Sequence, residues 1–209
     1  MSGFRPTVAI LDHDSGNLRS VATAIRFVGG EPVVTPDPRE ALACSAVVVP
    51  GVGSFGAAMT ALRERGLDGC LVRAAIAGRP VLGVCLGMQV LYEASEESDG
   101  VAGLGLLPGT VRRLPADVPV PHVGWNTVRW TAEHQLTAAI PDGTSFYFVH
   151  SYAATHVAPE PGAVVGESEH GRPFAAAVAA GSVLGVQFHP ERSGDAGLAL
   201  YEAFVESAR

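Results

Sequence analysis

The sequence predicts an α/β fold: one three-layer domain over residues 1–209, in which a doubly wound, mostly parallel sheet carries helices on both faces and gains antiparallel strands in its C-terminal half. Three observations carry that expectation. In the first half, short apolar runs alternate with segments of helical period, the pattern of parallel strands joined by crossover helices. In the second half, strand-like runs follow one another with no helix between them, so part of the pairing there is antiparallel. No repeat, low-complexity tract or linker divides the halves, and 209 residues suffice for one sizeable core.

The elements follow in order. "TVAIL" (residues 7–11) is the first strand. After it Leu18, Val21, Ala22 and Ile25 recur at helical spacing, with Ser15 as the N-cap and Gly29 as the stop. "EPVVT" and "AVVVPG" are the next two strands. Phe55, Ala58, Met59 and Leu62 mark an amphipathic helix, and Leu71 to Ala77 a further one. "PVLGV" is a fourth strand, and "LGMQVLYEAS" reads as the helix after it. "GTVRRL", "HVGWNTVRW", "SFYFVHSY", "AVVGESE" and "SVLGVQF" are the strands of the second half, and "DAGLALYEAFVESA" is the last helix.

Composition narrows the function. The net charge of −7 argues against nonspecific binding to nucleic acid or anionic membrane, which needs basic stripes. All 14 basic residues are arginine. Schiff-base lysine chemistry and the lysine of a phosphate-binding loop are therefore excluded. The three cysteines, Cys44, Cys70 and Cys85, are an odd number without metal-type spacing, and no metal or cofactor is expected. With no apolar stretch of membrane-spanning length, a reducing, cytoplasmic setting is the expectation.

The chemistry concentrates at strand ends, where open α/β sheets place their sites. Gly83-Val84-Cys85-Leu86-Gly87 is a G-x-nucleophile-x-G elbow with cysteine in place of serine. Flanking glycines relieve a crowded turn, the helix start behind the sulfur favours thiolate, and the amide of Leu86 points where an oxyanion would form. A buried structural cysteine remains the other reading of this motif. Cys44 and Cys70 lack the context and are expected in the core.

A thiol nucleophile wants a base. In "GVQFHPERS", Pro190 biases His189 toward an extended backbone, so His189 and Glu191 project to the same side. A carboxylate there orients and charge-stabilises the imidazole; a polar surface turn is the bland alternative. "VVVPGVGSFG" runs a strand through Pro50-Gly51-Val52-Gly53 into a helix, and its glycines permit backbone amides to face a ligand. An ordinary strand-to-helix turn has the same composition.

Taken together, "GVCLGMQ" and "QFHPE" resemble the class I (triad) glutamine amidotransferases, flavodoxin-like enzymes that hydrolyse L-glutamine to glutamate and ammonia. "PGVGSFG", "PHVGWN" and "YFVHSY" further resemble the branch that serves imidazole glycerol phosphate synthase in histidine biosynthesis. The resemblance runs from the first strand to the last helix. It implies Cys85 as nucleophile, His189 as base and Glu191 as its orienter. It implies an oxyanion hole from Leu86, Val52 and Gly53, and a glutamine pocket formed by Gln89, Ser151 and Tyr152. Trp125, Asn126 and Arg192 would face a cyclase (synthase) subunit that receives the ammonia in a heterodimer. The acceptor's phosphates would bind on that subunit, consistent with the absence of lysine and of a phosphate loop here. Two stretches depart from the pattern: "DHDSGN" replaces the commoner Asp-Tyr-Gly start, and Arg192 stands where lysine is frequent. Alternatives are an amidotransferase serving another acceptor, as in anthranilate synthesis, a catalytically silent binding subunit, and a redox thiol protein on a similar sheet.

Overall fold

The computed structural model describes residues 5–14, 16–155 and 163–209. Alternating sequence becomes alternating layers. Strand β1 (Thr7–Leu11) sends Val8 and Ile10 to one face and Ala9 and Leu11 to the other, all of them buried. The first pair joins a core with helix α1 (Leu18–Phe27) and the C-terminal α6 (Gly194–Ser207). The second pair packs with α3 (Phe55–Glu64) and α4 (Leu67–Ile76). A strand buried on both faces has to be apolar throughout, which is why these runs show no polar alternation.

Five parallel strands form the centre: β2 (Glu31–Thr35), β1, β3 (Ala46–Val49), β4 (Val81–Val84) and β12 (Val183–Val186). Beyond β12 the sheet continues antiparallel through β11 (Arg172–Ala180), β10 (Ala163–His170), β7 (His122–Trp130) and β8 (Thr144–His150). A second sheet joins β5 (Tyr92–Ser95), β6 (Leu107–Arg113) and β9 (Tyr152–Ala154). Register fixes the functional edge. Val49 pairs with Gly83, and Val84 pairs with Val186. The carboxyl ends of β3, β4 and β12 therefore lie side by side, and the three segments after them leave the sheet at one place.

Several elements differ from expectation. The helix after β4 is a single turn, α5 (Leu86–Gln89), and Tyr92–Ser95 is a strand. The carbonyl of Val90 accepts from Leu104, that of Leu91 from Leu106 and Leu107, and that of Glu93 from Gly103. Tertiary partners have replaced the intrahelical ones, and the short helix leaves little dipole behind the sulfur. "SFYFVHSY" breaks at Ser151, which stands between β8 and β9. Elements also form where none was expected. Helix α2 (Pro38–Ala43) is capped by Asp37, whose carboxylate accepts from the Arg39 amide at 2.8 Å. Strand β11 forms in a stretch for which no element was expected; its alanines favour helix by propensity, but it lies between β10 and β12, where small side chains fit. Helix α4 begins four residues before the expected Leu71. Ser15 lies outside the described residues; Asn17 holds the N-cap position of α1, and Gly29 follows the helix at φ +91°.

Candidate active site

Cys85 is the residue at the bend between β4 and α5, and its backbone is held at φ 54° and ψ −109°. A side-chain-bearing residue is rarely found there, and the strain is of order 1–3 kcal/mol. Packing imposes it. A Cβ on Gly87 would lie 1.7 Å from the Val49 carbonyl oxygen, and one on Gly83 would lie 2.6 Å from the Gly87 carbonyl oxygen. The glycines let β3, β4 and α5 approach one another, and the chain must turn sharply at the cysteine between them. The Cys85 amide still donates to Val186 at 2.8 Å, so the bend is tied to β12. Its thiol lies 3.7 Å from the carbonyl oxygen of Val149 on β8.

His189 follows β12 by three residues, at a backbone φ of −103° and ψ of 96°. Extended alternation turns Phe188 the other way, to stack on Phe146 at 4.0 Å between centroids. Pro190 then opens a turn of 3₁₀ helix (Pro190–Arg192), which returns the Glu191 carboxylate to the imidazole, Nδ1 to Oε1 at 2.9 Å. Both side chains are buried. Burial opposes a charged imidazole, but the side chains of Cys85 and Glu191 outweigh it, and the pKa of His189 is pushed up to about 10. The other nitrogen, Nε2, has no hydrogen-bond partner among the described residues. It is the atom left to exchange a proton with sulfur.

In front of Cys85 lies a cavity of about 230 Å³. Val52, Gly53, Leu86, Gln89, Ser151 and Tyr152, all expected from the sequence, line it together. Glu97, Pro121, Val149 and His150 complete the wall and were not expected. Glu97 accepts from the Phe55 amide at 2.6 Å, so it caps α3 from the pocket rim. His150 accepts or donates at both ring nitrogens: Nδ1 lies 2.9 Å from the Tyr152 carbonyl oxygen, and Nε2 lies 3.0 Å from Nδ1 of His122. Burial drives both imidazoles toward the neutral form, lowering His122 to about 4 and His150 to about 3. The departure at "DHDSGN" has a structural use: Nε2 of the buried His13 donates to the Pro50 carbonyl at 2.7 Å, fastening the loop before Val52.

The residues expected at a partner contact divide. Trp125 is 59% exposed on β7, edge-on to Tyr147 at 6.1 Å, and Arg192 stacks its guanidinium over the same Tyr147 ring at 5.8 Å. Val123 and Val52 are exposed as well. Asn126 points to the opposite face of the strand by alternation. There its amide donates to the Glu169 carbonyl at 2.8 Å and lies 3.3 Å from Nε2 of His122. Cys44 and Cys70 are buried in the core, as expected; desolvation raises both thiols above their ordinary range. Among the described residues no metal-ligating cluster occurs, and no helix is long and apolar enough to cross a membrane.

Known proteins resemble this chain over nearly its whole length. The chain is 47% identical over 207 residues to the imidazole glycerol phosphate synthase subunit HisH of Moorella thermoacetica, covering 99% of this chain and 97% of that one. It is 46% identical to the subunit of the same name from Thermobifida fusca, covering 97% and 99%. Among solved structures, PurLQS from Thermotoga maritima superposes with a TM-score of 0.78 at 20% identity, covering 99% of this chain and 100% of that one. The glutaminase domain of Trypanosoma brucei CTPS, solved with bound acivicin, superposes with a TM-score of 0.73 at 18% identity, covering 98% and 94%. The family model for glutamine amidotransferase class-I matches residues 9–207. The chain belongs to the class-I glutamine amidotransferase family.

Proposed function

We propose that this chain is the glutaminase subunit of imidazole glycerol phosphate synthase, and that Cys85, His189 and Glu191 are its catalytic residues. One observation carries the chemistry: a strained cysteine at the end of β4 stands beside a buried His–Glu pair just beyond the end of the adjacent parallel strand β12, with a cavity sized for an amino acid in front of the sulfur. Identity near 45% over almost the whole length to subunits named HisH supports the assignment to that synthase.

With its proton already held on the imidazole of His189, whose pKa stands at about 10, the sulfur of Cys85 attacks the side-chain amide carbon of glutamine as the thiolate. Glu191 holds Nδ1 and stabilises the imidazolium. The tetrahedral oxyanion is received by the amides of Leu86 and of the Val52–Gly53 segment. Collapse of the intermediate breaks the C–N bond, and His189 returns the proton to the departing nitrogen, which leaves as ammonia. Water, deprotonated by His189, then hydrolyses the thioester to glutamate and restores the thiol.

The ammonia passes to the cyclase subunit. There it reacts with a phosphoribosyl formimino ribonucleotide to give imidazole glycerol phosphate and aminoimidazole carboxamide ribotide. Passage without release matters chemically, because ammonia in water near neutral pH is mostly ammonium, which is no nucleophile. The exposure of Trp125 and Val123 and the Arg192 guanidinium over the Tyr147 ring support a contact with that subunit on this face, with the Asn126 amide bonded to Glu169 on the other side of β7. The test is glutamate release from glutamine by the purified chain, alone and with a cyclase subunit and its nucleotide. Release stimulated by the loaded partner is expected; none under either condition would overturn the proposal.

A further inference from the structure

Gln187 directly follows β12, between Val186 and Phe188, and is fully buried. Its amide donates to the Ala176 carbonyl at 2.9 Å, so the extended ladder continues past the strand's end. By alternation its side chain lies on the same face as His189. A buried primary amide must find partners for two donors and a carbonyl, and the partners here are informative.

Nε2 of Gln89 donates to the Tyr152 carbonyl at 2.9 Å and to Oε1 of Gln187 at 3.0 Å. Nε2 of Gln187 lies 3.6 Å from Sγ of Cys85. The polarity of this chain is set from one end. A backbone carbonyl can only accept, so Gln89 must turn its NH₂ toward Tyr152. The same NH₂ then meets Gln187, which must present oxygen there and its own NH₂ to sulfur. Two consequences follow. Both Gln89 hydrogens are consumed by the protein, which leaves its carbonyl oxygen for the pocket that Gln89 lines. That oxygen suits a cationic donor, such as the α-ammonium of an amino acid. At the other end, Cys85 receives a buried N–H donor from the side away from the pocket.

We propose that Gln187 is a positioning residue for both ends of the site: its carbonyl orients Gln89 toward the substrate's ammonium, and its amide hydrogen bonds to the sulfur of Cys85 and favours the anion. Gln187 touches no substrate itself. The inference rests on the glutaminase reading for the identity of the substrate, but its effect on sulfur can be measured without glutamine.

Titratable groups facing the sulfur are His189 with Glu191 behind it, and His150 and Glu97 across the cavity; the variants below leave all four in place. The experiment is performed on the chain assembled with its cyclase subunit and compares the parent with Gln187→Met and Gln187→Glu. Methionine keeps the volume and removes both polar roles; glutamate keeps the oxygen that Gln89 needs and replaces the donor. Two quantities are read: KM for glutamine, and the pH midpoint for alkylation of Cys85 by iodoacetamide, resolved from Cys44 and Cys70 by peptide mass. Gln187→Met is expected to raise KM about tenfold and to move the midpoint up by about one pH unit, the size of one lost hydrogen bond to a charged group. Gln187→Glu is expected to keep KM near the parent value while moving the midpoint up further, because a second negative charge repels the thiolate. The proposal is overturned if Gln187→Met matches the parent in both quantities, even with a lowered melting temperature, or if the two variants raise KM alike. Should the methionine variant not fold, the split between KM and midpoint in Gln187→Glu decides alone. A parent complex that releases no glutamate overturns the glutaminase reading instead, while the alkylation midpoints still judge the contact to sulfur.

Discussion

Nδ1 of His189 and Oε1 of Glu191 lie 2.9 Å apart across a single proline, both side chains out of solvent. The pair folds with its charge in place. His189 is held above its ordinary pKa, so its protonated form is stabilised by the native state. That contribution is fully present below about pH 6.5, the unfolded value, and is lost as pH rises through about 10. Denaturant unfolding between those limits is expected to show stability falling with rising pH, and the fall is expected to shrink in Glu191→Gln. In kcat/KM for glutamine, His189→Asn is expected to cost about 10²–10⁴-fold. Glu191→Gln should cost less, since the amide oxygen still accepts from Nδ1. Equal losses would show that the two act as an indivisible unit.

The opposite sign holds for His122 and His150. Burial keeps both neutral, at about 4 and about 3, so the unfolded chain takes up protons that the folded chain refuses. Their contribution is present above about pH 6.5 and is lost as pH falls toward those values. His122→Gln, which keeps hydrogen-bonding capacity without titrating, is expected to flatten the stability decline between pH 6 and 4, measured by denaturant midpoint.

Two glycines of the site should fail differently. A Cβ at Gly87 meets the Val49 carbonyl oxygen at 1.7 Å, so Gly87→Ala is expected to yield little folded protein. At Gly53 a Cβ has open space, but the backbone stands at φ +107°. Gly53→Ala is expected to fold, with a strain cost of about 1–3 kcal/mol. A peptide flanked by glycine can present either its carbonyl or its amide toward Cys85, which would let a partner switch the oxyanion hole on. Gly53→Ala should then lower the partner-stimulated rate by about 10²–10³, the worth of one oxyanion donor, with little effect on partner binding. A chain that alone hydrolyses glutamine at the full rate of the complex would contradict the switch.

Trp125 is mostly solvent-exposed, so its truncation should cost the isolated chain no more than about 0.5 kcal/mol. If it anchors the cyclase subunit, Trp125→Ala should weaken that complex about 30-fold, the equivalent of about 2 kcal/mol. Titration calorimetry and a thermal melt separate the two; a lowered melting temperature with unchanged affinity would contradict the interface role.

The sequence carried the site further than it carried the fold's details. Cys85, His189 and Glu191 were legible because each sits in a short motif whose local geometry follows from glycine, proline and strand alternation. Gln187 was not singled out in the sequence: it stands two residues before His189 on the same face, but its meaning depended on Gln89, a partner distant in sequence. The one-turn α5 and strand β11 were not legible, because the carbonyls of 90–93 and the alanine run of 175–177 are claimed by chain segments far away in sequence. Helix α2 did carry its signal, Asp37 followed by Pro38, in a segment too short for a periodic pattern. Asn126 and Trp125 look equivalent in "HVGWN", and strand alternation alone sends them to opposite faces.

The central claim is that Cys85 is the nucleophile toward the glutamine side chain, and the most direct measurement is its covalent capture. Incubation of the assembled chain with a glutamine-like diazo-ketone, followed by peptide mass analysis, is expected to place one adduct on Cys85 and none on Cys44 or Cys70, with glutamine protecting the site. The adduct should be absent in Cys85→Ala, which should keep ammonia-dependent synthesis by the complex. Equal labelling of all three cysteines, or none on Cys85 in a complex that releases glutamate, would contradict the account.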